Sequence, residues 1–128
     1  MNKAFINKTT KYHNKKTIVN GITFDSKLEA KRFCELKLLE KANKIEDLKL
    51  QPSFELQPTF KKNGKTIRAI TYKADFSYYD KEKQEQVIED TKGMQTKDYL
   101  IKKKLFEYKF PYLTIKEIKK WQKKTLIL

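Results

Sequence analysis

The chain has 128 residues, 38% hydrophobic and 12% aromatic, which suffices for one domain with one core and argues against disorder. Lys and Arg number 30 against 16 Asp and Glu, a net charge of +14, so the surface is built for a polyanion: nucleic acid first, an anionic membrane surface second. No apolar run reaches membrane-spanning length, and the single Cys34 excludes an internal disulfide and a cysteine-rich zinc site.

Residues 1–16 are polar, basic and without periodicity, and read as a flexible N-terminal arm; residues 17–128 read as a single domain. The arm has no signal-peptide apolar region, so a cytoplasmic protein is expected. Its His13, the only histidine, is not a catalytic candidate. "TIVNGITF" is two short β-prone runs around Asn20-Gly21, the favoured type I′ hairpin turn. A helix is predicted from Ser26 to about Asn43, with Leu28, Phe33, Leu36, Leu39 and Ala42 as its apolar stripe and Lys27, Lys31, Glu35 and Lys41 on its wet side. Cys34, inside that helix, is expected to be a partly buried thiol. Pro52 and Pro58 break "IEDLKLQPSFELQPTF" into short extended pieces.

A second turn at Asn63-Gly64 precedes a long β-prone run, Thr66 to Asp80. "QVIEDTKG", Gln86 to Gly93, reads as a central strand stopped by glycine, because Val87 and Ile88 are apolar on both faces. A second helix is predicted from Thr96 to about Phe110, ended near Pro111. "YLTIKEI" is a returning strand, and Trp121 in the C-terminal "WQKKTLIL" is a packing residue. The element order predicts an α/β fold, a mixed central sheet flanked by helices.

Two carboxylates require a reason. Asp75 stands in the β-prone "YKADFSYYD", where strands disfavour Asp. In "VIEDTKG", Asp90 and Lys92 are two apart and project to one face, Glu89 and Thr91 to the other. If the two strands are neighbours, Asp75 lies beside Asp90. Such a pair repels unless a cation sits between, and Mg2+ is the natural occupant. Lys92 could then serve an attacking water, an arrangement suited to metal-assisted phosphodiester hydrolysis. Glu29 has two readings. With Ser26 it forms a Ser-x-x-Glu capping box, but with three partners elsewhere it also suits an acidic cluster.

A helix-borne acid, an Asp on one strand and acid-x-Lys on the next resemble the PD-(D/E)XK nuclease superfamily, here as Glu29, Asp75 and Asp90-Thr91-Lys92. The segments "KYHNKKTIVNGITFDSKLEAKRF", "YKADFSYYD", "VIEDTKG" and "TKDYLIKKKLF" together resemble a family of small phage-encoded proteins of that superfamily, most of the chain being covered. Two departures stand: Ala74 replaces the motif's proline, and Asp90 stands where Glu is commoner. The resemblance implies a restriction-endonuclease-like αβββαβ core. It implies that Asp75 and Asp90 bind metal, that Lys92 serves the nucleophilic water and that Glu29 completes the acidic cluster, with Mg2+ (or Mn2+ in its place) as cofactor. Gln95 and Tyr99 are spaced like the Gln-xxx-Tyr element of RecB-type nucleases; the alternative is a helix start and a packing tyrosine. Lys102, Lys103 and Lys104 follow as candidate phosphate contacts or a solvated face.

The expected function is a Mg2+-dependent DNA endonuclease acting on branched or structured DNA in phage recombination or replication, like a Holliday-junction resolvase. Only two arginines, Arg32 and Arg68, accompany the lysines, which favours backbone contact over base reading. Paired cuts at a junction call for a homodimer. The alternative is a non-catalytic DNA- or RNA-binding module that retains the fold.

Overall fold

The computed structural model describes residues 16–92 and 95–119. In chain order the elements are β1 (Thr17–Val19), β2 (Ile22–Phe24), α1 (Lys27–Lys41), β3 (Ile45–Leu50), β4 (Ser53–Gln57), β5 (Phe60–Lys62), β6 (Lys65–Ile67), β7 (Ile70–Lys73), β8 (Phe76–Asp80), β9 (Glu85–Thr91), α2 (Lys97–Lys109) and β10 (Ile115–Ile118). The central sheet has the order β10-β9-β8-β3; β10 runs parallel to β9, and the other pairs are antiparallel. The chain is thus a mixed α/β fold with a mixed sheet and two helices. Among the described residues no helix is long and apolar enough to cross a membrane. His13 and Trp121 lie outside the described residues, as does nearly all of the expected N-terminal arm.

The helices lie on opposite faces because the sheet's side chains alternate. Phe76, Tyr78 and Val87 join Ile45 in a core with Phe33 and Leu36 of α1. Ile88 and Ile115 join Tyr72 and Ala74 in a second core with Tyr99 and Phe106 of α2. Val87 and Ile88 therefore point to different cores, and β9 is central, as its two-sided apolar start implies. One helical stripe is less uniform than predicted: Phe33 and Leu36 are buried, but Ala42 is exposed and lies past the helix. Cys34 is exposed, not partly buried. It adjoins the wet-side Glu35, a quarter-turn from the buried Phe33.

The long run from Thr66 to Asp80 is not one strand. It is broken into β6, β7 and β8, with Asp75 in the break. The register explains this. Lys49 pairs with Ser77 and Leu50 with Phe76; beyond the break Ser53 pairs with Lys73 and Phe54 with Tyr72, the same offset continued. Strands β3 to β8 are therefore one long antiparallel ribbon. It bends where Gln51 and Pro52 face Asp75 and Ala74, and the bend keeps its ladder: Gln51 N–H donates to Asp75 O at 2.8 Å and Ala74 N–H to Pro52 O at 3.0 Å. Pro52 accepts there and has no N–H to lose. Gln51 takes φ +52°, the left-handed region rare for a residue of its kind. The bend folds the outer half of the ribbon over α2, which packs against β4 and β7.

Candidate active site at the bend of the ribbon

Beyond the pair Phe76–Glu89, the antiparallel register sets Asp75 beside Asp90, and Asp75 N–H donates to Glu89 O at 3.0 Å. The bend thus brings Asp75 to the end of the sheet. Its Oδ2 accepts from Thr91 N–H at 2.7 Å and from the Thr91 hydroxyl at 2.6 Å. Both bonds fall on Oδ2, and among the described residues no hydrogen bond to Oδ1 of Asp75 is made.

Asp90 and Lys92 do share a face. Lys92 Nζ lies 3.0 Å from Asp90 Oδ1, with its side chain only 20% exposed. The same ammonium sits 3.9 Å from the centroid of the Tyr99 ring, a cation–π contact. Backbone pairing continues here too, Lys92 N–H donating to Ile118 O at 2.9 Å. Tyr72, brought over by the bend, donates its hydroxyl to Asp90 Oδ2. Burial raises the pKa of Asp90, and the charge of Asp75 adds to this, while Tyr72 and Lys92 oppose it.

Glu29 resolves its two readings by satisfying parts of both. Ser26 caps α1, its hydroxyl accepting from Glu29 N–H at 3.1 Å. The Glu29 carboxyl is buried, next to the Asp25 backbone and the Gln51 side chain. Burial first, then the charges of Asp75 and Asp25, push its pKa from 4.5 up to about 7. Asp75 is therefore electrostatically coupled to Glu29 on one side and to Asp90 on the other. The three acids form a chain with Asp75 in the middle and not a closed cage. Among the described residues, no three His, Cys, Asp or Glu side chains gather closely enough to hold an ion on their own. The donor set still fits Mg2+, which is held by one or two carboxylates and fills its other positions with water and phosphate oxygens.

Tyr99 and Gln95 meet on one acid that sequence reasoning missed. Tyr99 donates its hydroxyl to Glu117 Oε2 at 2.6 Å and Gln95 its amide to Glu117 Oε1 at 2.8 Å. Gln95 precedes the helix, whose N-cap is Thr96, and so does not share a helical face with Tyr99. Tyr99 is buried, its ring under Lys92 and its hydroxyl tying α2 to β10. A cavity of about 430 Å3 opens at this point, lined by Tyr72, Lys73, Lys92, Thr96, Tyr99 and Lys102, among others. Of the three consecutive lysines, Lys102 reaches it, 3.7 Å from Asp98, which also lines it; Lys103 leans to Glu107 at 3.4 Å, and Lys104 is exposed on α2.

Behind the site, on the α1 face, Glu89 is fully buried. Arg32 holds it with two bonds, Nε to Oε1 at 2.8 Å and a terminal nitrogen to Oε2 at 2.7 Å, and Tyr78 donates its hydroxyl to Oε2. The alternation of Glu89 and Asp90 was legible; the partners of Glu89, 57 and 11 residues away, were not.

No curated protein and no solved structure matches the chain. Residues 9–126 match the family described as "Protein of unknown function (DUF1064)", and the chain belongs to that family.

Proposed function

We propose that this protein is a Mg2+-dependent DNA endonuclease with a restriction-endonuclease-like αβββαβ core, acting on branched or structured DNA as a homodimer. The observation that carries the reading is the placement of Asp75 beside Asp90, whose ion-pair partner Lys92 lines a cavity together with Lys73 and Lys102. Helix α1, strands β3, β8 and β9, helix α2 and strand β10 follow the αβββαβ order, and the net charge of +14 suits a polyanionic substrate.

Asp75 and Asp90 would hold the ion, with Glu29 adjoining Asp75. When bound, Mg2+ supplies Lewis-acid polarisation of a phosphate and acidifies a bound water. The chain's own residues do the rest. Thr91 fixes the Asp75 carboxylate through two donors, and Tyr72 fixes Asp90. Tyr99 holds the Lys92 ammonium beside Asp90, where it can hydrogen-bond an attacking water and offset charge on the phosphoryl oxygens. Lys73 and Lys102 face the same cavity and can position the flanking phosphates as point charges.

The test is cleavage of duplex, single-stranded, flap and four-way-junction DNA with and without Mg2+, for the native chain and for Asp75→Ala. Asp75→Ala should abolish cleavage and keep or strengthen DNA binding, since a carboxylate near phosphate is lost. A folded Asp75→Ala protein that still cuts, or that no longer binds DNA, defeats the metal-site role. Binding by the native chain without cleavage of any substrate would instead mark a DNA- or RNA-binding module that keeps the fold.

A further inference from the structure

We propose that the outer end of the ribbon, residues 58–68, is an arm that lies in a groove of duplex DNA beside the cleavage site. This rests on the reading of the protein as one that acts on DNA. Strands β5 and β6 pair as Phe60–Ile67, Lys61–Thr66 and Lys62–Lys65. They are joined by Asn63 and Gly64 at φ +52° and +76°, the tight two-residue turn that suits a twisted hairpin. The base is tied by Ala69 N–H donating to the Thr59 hydroxyl at 3.1 Å. All six strand residues are exposed. The arm therefore projects with no core of its own to protect.

Its charge is one-signed. Between Glu55 and Asp75 there is no acid, while Lys61, Lys62, Lys65, Arg68 and Lys73 all fall there. Among the described residues none of these five has a carboxylate within ion-pair distance. The other arginine, Arg32, is committed to Glu89 and Glu35. Alternation places Lys62 and Lys65 on one face of the ribbon and Lys61 on the other. A flat anionic surface such as a membrane would neutralise one face and leave the other bare. A groove walled by phosphates meets both, and the major groove admits a two-stranded ribbon. From the arm, β7 leads directly to Tyr72 and Lys73 in the lining of the cavity that holds Lys92. Duplex gripped by the arm would thus run toward Asp75 and Asp90.

The test measures binding of a short duplex by the full chain in the Asp75→Ala background, in EDTA, across a salt series. The arm variant is Lys61→Ala/Lys62→Ala/Lys65→Ala. A control with the same charge loss, Lys27→Ala/Lys31→Ala/Lys41→Ala, alters the exposed face of α1. The arm variant should bind roughly tenfold or more weakly, and its log K against log salt slope should shrink by about 2–3, while the control changes less. Arg68→Ala, a single exposed change, should move both quantities in the same direction by about one contact. An arm variant that melts like its parent and binds like the control overturns the proposal. So does loss of binding to anionic vesicles with duplex binding intact. Plasmid nicking by the native chain separates the two readings. Arm-dependent binding without nicking sinks the nuclease and spares the arm; nicking with arm-independent binding does the reverse.

Discussion

Glu29 is an acid whose carboxyl titrates close to neutral pH. A carboxyl raised from 4.5 to about 7 favours the protonated form in the fold. Its contribution to stability is complete below pH 4.5 and is lost as pH rises through about 7, on the order of 3 kcal/mol. Glu29→Gln cannot ionise and fills the same position in the cap. In EDTA its melting temperature should exceed that of the native chain by several degrees at pH 8 and match it near pH 4.5, read by thermal denaturation. Added Mg2+ at pH 8 should raise the native chain more than the variant. The same substitution should slow cleavage ten- to a thousand-fold, about 1.4–4 kcal/mol of barrier. Ser26→Ala is its counterpart: it removes the cap, worth about 0.5–2 kcal/mol, and should leave the rate per folded molecule unchanged. Equal melting temperatures at pH 8, with a full cleavage rate, would return Glu29 to a purely structural position.

At the scale of elements, β9 carries buried charge on both faces, and the two faces answer to different substitutions. Arg32→Ala leaves Glu89 buried and unpaired, which should cost about 3–5 kcal/mol in chemical denaturation. Adding Glu89→Gln should recover part of it, because the uncompensated charge is gone. On the other face, Tyr99 separates ring from hydroxyl. Tyr99→Phe keeps the ring under Lys92 and loses the bond to Glu117, costing about 1 kcal/mol of stability with the cleavage rate retained. Tyr99→Leu removes the ring and should slow cleavage about two- to thirty-fold. Equal rates for Phe and Leu would mean that Lys92 is positioned by Asp90 alone. These elements were largely legible in the sequence. Asn20-Gly21 and Asn63-Gly64 turn where expected, and Ser26 and Thr96 cap helices within two residues of the expected bounds. The parity of Asp90 and Lys92 needed only the alternation of a strand. What was hidden depends on tertiary geometry. Periodicity carries no sign of the bend that breaks the run at Asp75 and brings Tyr72 to Asp90. Nor could spacing pair Arg32 with Glu89, or show that Gln95 and Tyr99 share Glu117, a contact set by the crossover from α2 to β10.

For the whole molecule, 30 basic and 16 acidic residues act on folding and on binding with opposite signs in salt. The compact chain repels itself, and exposed charges interact over a Debye length of about 10 Å at 0.1 M. Raising NaCl screens that repulsion, so the free protein's melting temperature should rise. Binding runs the other way, because each lysine on a phosphate releases a counterion and salt works against that release. A protein neutralising about six to ten phosphates loses about 10^3 to 10^5 in affinity between roughly 50 and 200 mM salt. Thermal denaturation with and without duplex, in the Asp75→Ala background to prevent cutting, measures both effects on one sample. The free and bound melting curves should converge as salt rises, the free curve climbing and the bound one falling toward it. Bound-state stabilisation that persists undiminished at high salt would mean that apolar or base contacts carry the affinity. The exposed lysines of the ribbon would then serve solubility and not the grip on DNA.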